Sequence, residues 1–387
     1  MSKNEWKETA FNDMADLIKD GYHPTGSDNF KYIGLEHIDQ QSLSLNSVGH
    51  STEVGSNKFR FKGGDILFGK LRPYFRKVYR PRFDGVCSTD IWVVRAKNGI
   101  DQGYLFYRMA SHEFVDMASS GSSGTRMPRA DWNHLKDTRW PVPSLPTQKK
   151  IAKILGDLDE KIELNHQMNK TLESIAQAVF KKWFVGFEFP GHEKTKFVNG
   201  LPEGWREGTL SEICNIIMGQ SPPGETYNES GNGVPFYQGN RDFGYRFPTA
   251  RVFCSAPTRF ADTRDILVSV RAPVGALNIA LEKCCIGRGV AALRMKNHSN
   301  GFLFYFLATQ DDLWNRFNSE GTVFGCLNKS EFNKIDLVIP SDDVLAGFDR
   351  FVVSIEAMLW KNEEENRRLS GIRDSLLPKL MSGEVVV

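Results

Sequence analysis

Thr147–Phe184, TQKKIAKILGDLDEKIELNHQMNKTLESIAQAVFKKWF, decides the reading of the chain, because a matching stretch returns near its C-terminus. Ile151, Leu155, Leu158, Ile162, Asn165, Asn169, Leu172, Ala176, Val179 and Trp183 are spaced alternately four and three apart, the heptad spacing of a helix with one long apolar seam. Adding 197 gives Phe348, Val352, Ile355, Leu359, Asn362, Asn366, Leu369, Arg373, Leu376 and Leu380. Both seams carry two asparagines at their middles. A shared polar break in the same register points to duplication, and asparagine at a seam costs stability while specifying register. The spacing predicts two long helices that pair within one chain.

The duplication extends to the rest of the sequence. Glu5-Trp6-Lys7-Glu8 answers to Gly204-Trp205-Arg206-Glu207, Gly64-Asp65-Ile66-Leu67 to Arg264-Asp265-Ile266-Leu267, and Tyr104-Leu105-Phe106-Tyr107 to Phe302-Leu303-Phe304-Tyr305. The offset stays between 197 and 200. The plan is therefore a globular part of about 140 residues followed by a long helix, used twice. It divides the chain at 1–144, 145–185, 186–200, 201–340 and 341–387. Short aromatic and β-branched runs predict strands at Lys58–Phe61, Ile66–Phe68, Phe75–Tyr79 and Ile91–Val94, with counterparts at Ile266–Val270 and Val290–Leu293. One amphipathic helix is expected in each half, Gln102–Ala118 and Gly301–Phe317, N-capped by Asp101 and Asn300. The expected class is mixed α/β (α+β).

Composition narrows the function. Of the 387 residues, 40% are hydrophobic and 25% charged, as in an ordinary soluble protein. No charged-then-apolar leader follows Met1 and no apolar run is of membrane-spanning length, which leads to the expectation of a cytoplasmic protein that meets no membrane. The six cysteines lack C-x-x-C or disulfide-framework spacing, so reduced, mostly buried thiols are expected, and no metal. The net charge of +2 says little, but nine Lys and Arg between Lys58 and Arg82 face one acid, Asp65, with Tyr74, Phe75 and Tyr79 interleaved. Taken alone, such a run reads as a solvated charged face as readily as a nucleic-acid contact.

Catalytic motifs are missing. There is no phosphate loop and no dinucleotide fingerprint, and the eight histidines are scattered. Ser221-Pro222-Pro223-Gly224 superficially resembles the motif of amino-methyltransferases, but glycine stands where that motif needs an aromatic ring, and the segment reads as a turn.

Gly124-Thr125-Arg126-Met127-Pro128, Trp140-Pro141-Val142-Pro143, Pro146-Thr147-Gln148 and Ile151-Ala152 resemble the end of a target-recognition domain running into the conserved helix of specificity subunits of type I restriction-modification enzymes. Arg373-Asp374-Ser375-Leu376-Leu377-Pro378-Lys379-Leu380-Met381-Ser382-Gly383-Glu384-Val385 is similar to the distal conserved region of the same family. One departure is Ser341-Asp342-Asp343, where the first copy has Pro146-Thr147-Gln148. The resemblance implies a subunit without catalysis of its own. Its two target-recognition domains would each bind one half of an asymmetric, bipartite double-stranded DNA target. The helices would act as spacer and as docking platform for two methyltransferase subunits. It further implies restriction/translocase partners, with S-adenosylmethionine, ATP and magnesium held on the partner subunits and none in this chain.

Under that resemblance the basic run becomes a DNA face. The candidate DNA-binding residues are Lys70, Arg72, Tyr74, Arg76, Lys77, Arg126 and Arg129 in the first half, and Arg241, Arg246, Arg271, Arg288, Thr322 and Lys329 in the second. Arg264 and Arg294 are set aside as surface or fold-stabilising. Two rivals remain at this point: a self-contained DNA adenine methyltransferase with diverged motifs, and a coiled-coil scaffold that binds no DNA. Chain geometry favours antiparallel helices. A 38-residue helix rises about 57 Å, and the 16 residues Val185–Gly200, which reach about 53 Å at full stretch, contain Pro190 and Gly191. They suit a turn better than a return journey.

Overall fold

The computed structural model describes residues 6–121, 127–319 and 326–387. The chain divides into two compact units, Met1–His166 with Glu364–Val387, and Gln167–Glu363. Each contains one globular half and a portion of both long helices.

In the first unit, Ala15–Ile18, Ile91–Ala96, Ile66–Gly69 and Val78–Tyr79 form an antiparallel four-stranded sheet in that order. A second sheet has the order Gly21–Tyr22, Lys58–Phe61, Gly85–Ser88, Lys31–Ile33, Gly49–His50, with one parallel pair in which Ile33 lies beside Cys87. The second unit repeats both. Cys214–Met218, Val290–Met295, Ile266–Ser269 and Leu277–Ile279 make the four-stranded sheet. The other holds the parallel pair Val234–Tyr237 with Cys284–Ile286. A two-stranded ribbon closes each globular half just before its long helix: Lys7–Ala10 with Arg139–Val142, and Arg206–Thr209 with Asp336–Ile339.

Side-chain bonds repeat as closely as the strands. Arg95 forks onto Asp65 at 2.6 and 2.9 Å, and Arg294 onto Asp265 at the same two distances. The amide of Gln102 joins Ala96 N–H to the Gly64 carbonyl, and that of Asn300 joins Met295 N–H to the Arg264 carbonyl. Five cysteines are buried and Cys326 is exposed, all unpaired. Burial pushes the Cys87 thiol up to about 12. No helix among the described residues is long and apolar enough to cross a membrane.

Three local expectations are corrected. The predicted strand Phe75–Tyr79 is a strand only at Val78–Tyr79, because Arg72 and Arg76 adopt left-handed backbone around a helical turn at Pro73–Phe75. The predicted helix Gln102–Ala118 is two helices, Gln102–Ala110 and His112–Ser120. Ser111 leaves helical geometry, donates to the Arg108 carbonyl and accepts from Phe114 N–H, so a serine side chain ends one helix and caps the next. The second half breaks similarly into Gly301–Ala308 and Asp311–Ser319. Asp101 caps Tyr104 N–H, whereas Asn300 spends its oxygen on the sheet and caps nothing.

The long helices are Leu145–Phe180, continued by a wider turn at Lys181–Val185, and Asp342–Met381. They run antiparallel within each unit. In the first, Asp159 meets Arg373 while Asn165 meets Asn366 at 2.8 Å. In the second, Asn169 meets Asn362 at 2.8 Å while Phe180 packs on Phe348. All four seam asparagines are buried and bonded across the pair. Ile151, Leu155, Ile162, Phe348, Val352, Ile355, Leu359 and Arg373 are buried as read, but Leu158, Leu172 and Leu369 are only half-buried, and Glu173 and Phe180, one residue past Leu172 and Val179, take buried places. The shift follows from 3.6 residues per turn, which carries a straight helix away from a strict heptad by about 20° per repeat. The helices pack into the two cores, Leu377 with Phe114 and Trp140 in the first unit and Phe184 and Phe348 with Phe302 in the second. Each such buried side chain contributes about 1.5–3 kcal/mol.

The two helix starts make different contacts. Buried Gln148 accepts from Asp101 N–H and donates to the Pro143 carbonyl, whereas the second helix uses Asp342 on His298 and Asp349 on Ser299.

Candidate nucleic-acid interface

In the first unit three loops join at one end of the four-stranded sheet. Lys70 N–H donates to the Asp90 carbonyl at 2.9 Å, Arg72 N–H to Pro128 at 2.7 Å, and Ala130 N–H to Lys70 at 2.9 Å. Leu71 bridges Arg129. These bonds gather Lys70, Arg72, Tyr74 and Arg129 on one surface. Tyr74 is exposed, with its ring edge-on to Phe75, and the Arg72 guanidinium lies 5.9 Å from the same ring. Arg129 is exposed and held by Asp90 at 3.1 Å, which sets the direction of its fork.

The second unit builds the same junction. Val270 N–H donates to the Gly289 carbonyl and Leu327 N–H to Val270, and Arg271 bridges Cys326. Arg288 N–H reaches Ser221 Oγ, and Gln220 N–H reaches the Ile286 carbonyl. Arg271 and Arg288 are exposed on these joined loops, and Lys329 is exposed at the start of a short helix, Lys329–Asn333, two residues after Leu327. Exposed Arg241 sits on the turn after Tyr237, whose carbonyl accepts from Gly287 N–H. Gly289 is needed there, because a Cβ would stand 2.1 Å from the Gln238 carbonyl oxygen.

Three candidates face inward or are tied down, contrary to the sequence reading. Arg76 is 2% exposed; its Nε donates to the Ala110 carbonyl at 2.6 Å, Nη1 to Gln41, and Nη2 pairs with Asp374 at 3.5 Å. Arg246 is 3% exposed, bonded to Glu173 at 2.5 Å, with its guanidinium 3.7 Å from the centre of the Phe304 ring. Buried guanidinium groups with internal partners cannot also touch a duplex, so both belong to the interior. Lys77 gives its ammonium to the Leu35 carbonyl, and burial lowers its pKa. Arg126 and Thr322 lie outside the described residues, as do the rest of 122–126 and 320–325.

The same loops carry polar side chains that the charge pattern did not single out. Gln41 is exposed and donates to the Tyr74 carbonyl at 3.0 Å, and Gln220 and Ser221 lie beside Arg288. The signal available was Gly219, placed before a turn, where a Cβ would stand 2.1 Å from the Gly287 carbonyl oxygen. Among the described residues no three His, Cys, Asp or Glu side chains are grouped to hold a metal ion.

Comparison with known proteins converges on one family. A family model described as type I restriction modification DNA specificity domain matches residues 3–174 and 202–344. A Methanocaldococcus jannaschii protein assigned as the MjaX specificity subunit of a type I restriction enzyme is 29% identical over 99% of this chain and 94% of its own length. The HindI specificity subunit of Haemophilus influenzae is 25% identical over 99% of this chain and all of its own. A crystal structure described as the S subunit of a type I restriction-modification system from M. genitalium shares the fold, with a TM-score of 0.57 at 19% identity over 97% of this chain and 96% of that one.

Proposed function

The chain belongs to the family of type I restriction-modification DNA specificity domains, and from that premise we propose that it is the DNA-reading subunit of such a complex, each globular half contacting one part of a bipartite duplex target. The observation that carries this reading is the pair of equivalent loop junctions with different side chains: Lys70, Arg72 and Arg129 on one, Arg271 and Arg288 on the other, with Lys329 just past it. Equal scaffolds with unequal tips suit an asymmetric target, whereas identical tips would suit a palindrome. Arginine can fork onto O6 and N7 of guanine, and lysine can neutralise phosphate. Glutamine, as at Gln41 and Gln220, can pair with the edge of adenine.

The long helices serve as docking platform and spacer for two methyltransferase subunits. Supporting this, the helices expose Ile154, Leu164 and Ile372 in the first unit and Ile175, Val353 and Met358 in the second. S-adenosylmethionine, ATP and magnesium are assigned to the methyltransferase and restriction/translocase partners. The test is co-production with the methyltransferase subunit and mapping of methylated adenines, with and without this chain. Methylation that depends on the chain and falls on a bipartite site is expected. Exchanging residues 1–144 for those of a relative should change one half of that site only. A change in both halves, or methylation independent of the chain, would overturn the reading.

A further inference from the structure

The two arginines that turn inward are the roots of the very segments that bear the exposed candidates. Arg76 closes the turn of Arg72 and Tyr74, and Arg246 lies five residues after Arg241. In the first unit the path from that turn can be followed atom by atom. Left-handed backbone at Arg72, Arg76 and Gln41 is strained for residues with a Cβ and persists only where its surroundings hold it. Gln41 supplies part of that hold: its N–H donates to the Phe75 carbonyl, its side chain to the Tyr74 carbonyl, and its own carbonyl accepts from Arg76. The Arg76 fork continues to Asp374 on the second long helix. Arg373 beside it bonds Asp374 at 3.1 Å, the Ser42 carbonyl at 3.0 Å and Asp159 on the first long helix at 2.8 Å. Asp159 finally accepts from Tyr107 at 2.6 Å. Two buried cations and two carboxylates thus balance, and they connect the turn to both helices.

We propose that Arg76, through Asp374, is a positioning residue for DNA recognition: it fastens the turn carrying Arg72 and Tyr74 to the long-helix pair, so that the side chains facing the first half-site are aimed by the helices. The inference rests on the DNA-reading function above. Lysine would not replace Arg76, since one ammonium cannot span the Ala110 and Gln41 carbonyls and the Asp374 carboxylate in the planar geometry of a guanidinium. In the second unit Arg246 joins the Arg241 segment to Glu173 of the first long helix, with Glu356 of the second 3.8 Å away.

Asp374 is the residue to change, because its side chain is 39% exposed and asparagine keeps its shape and one acceptor oxygen. In Asp374→Asn the amides of Gln41, Phe75 and Arg76 should exchange hydrogen about tenfold faster, as expected when one charged support of a bonded turn is lost, while the amides of the second unit exchange as before. In complex with the methyltransferase subunits, the same variant should discriminate about tenfold less between the cognate and an altered first half-site, with discrimination at the second half-site retained. Arg76→Lys should reproduce the loss. Unchanged exchange and discrimination in Asp374→Asn would overturn the proposal. Equal loss at both half-sites with a lower melting temperature would also overturn it, in favour of a plain stabilising role. Failure of the wild-type complex to discriminate any site would instead strike the DNA-reading function, and this inference with it.

Discussion

In the first unit the buried arginine that meets a helix carboxylate and completes the link to a tyrosine belongs to a long helix, Arg373, whereas in the second it belongs to the globular half, Arg246. Both reach an acid that also accepts from a tyrosine of the repeat, Asp159 from Tyr107 and Glu173 from Tyr305. The Arg95–Asp65 and Arg294–Asp265 forks, by contrast, sit at the same place with the same distances. The difference teaches which constraints survive duplication. A fork that holds a sheet to its own loop is set by local backbone on both sides and has no freedom to move. A buried cation beneath the helices needs only a carboxylate and neutrality, and either partner surface can supply it.

The largest effects should come from breaking those anchors. Arg246→Met leaves the buried Glu173 without its cation and should cost about 3–5 kcal/mol in urea unfolding, whereas Arg373→Met, whose acids Asp159 and Asp374 are 26% and 39% exposed, should cost less. Arg95→Met likewise takes the cation from a buried carboxylate, since the Asp65 side chain is only 4% exposed, and should cost about as much as Arg246→Met. If Arg373→Met costs as much as Arg246→Met, burial of the acid does not set the cost. Next come the exposed loops. Arg271→Ala or Arg288→Ala should cost about 1–3 kcal/mol of binding at one base position if the side chain reads a base. If it contacts phosphate, binding should instead weaken on all duplexes, with the salt slope lowered by roughly one. Duplex titrations at several salt concentrations separate the two, and no change in either would remove that arginine from the face.

The seam asparagines sharpen the comparison at similar or smaller scale. Asn165→Leu alone leaves Asn366 unpaired and should cost about 1–3 kcal/mol, while the double change with Asn366→Leu should recover most of it. A double-mutant cycle on Asn169 and Asn362 should give the same coupling, since both pairs are bonded at 2.8 Å.

The smallest effect is expected at Glu356, which stands 197 residues after Asp159 but has lost its tyrosine to Glu173. Burial raises its pKa, opposed by Arg246. The folded state therefore keeps this proton to higher pH than the unfolded chain does, so its stabilising contribution is full below the ordinary glutamate range and is lost as pH rises through the raised value. Glu356→Gln should flatten that part of the stability profile and leave the acid end unchanged. An identical pH slope in both proteins would show that the group does not titrate in this window.

The sequence by itself determined the twofold plan, the two long helices, the asparagine register and the mixed class, because these are written in spacing: a period of 3.5 and an offset of 197–200 need no knowledge of neighbours. It also indicated Arg271, Arg288 and Lys329 as surface cations. Only the tertiary structure decided that Arg76 and Arg246 point inward while residues close to them point out, that Ser111 divides a helix, and that Glu173 is buried where a heptad would place its neighbour Leu172. Charge and period are properties of one chain segment, but the direction of a side chain depends on a left-handed turn, and its burial on a carboxylate hundreds of residues away, as Asp374 is from Arg76.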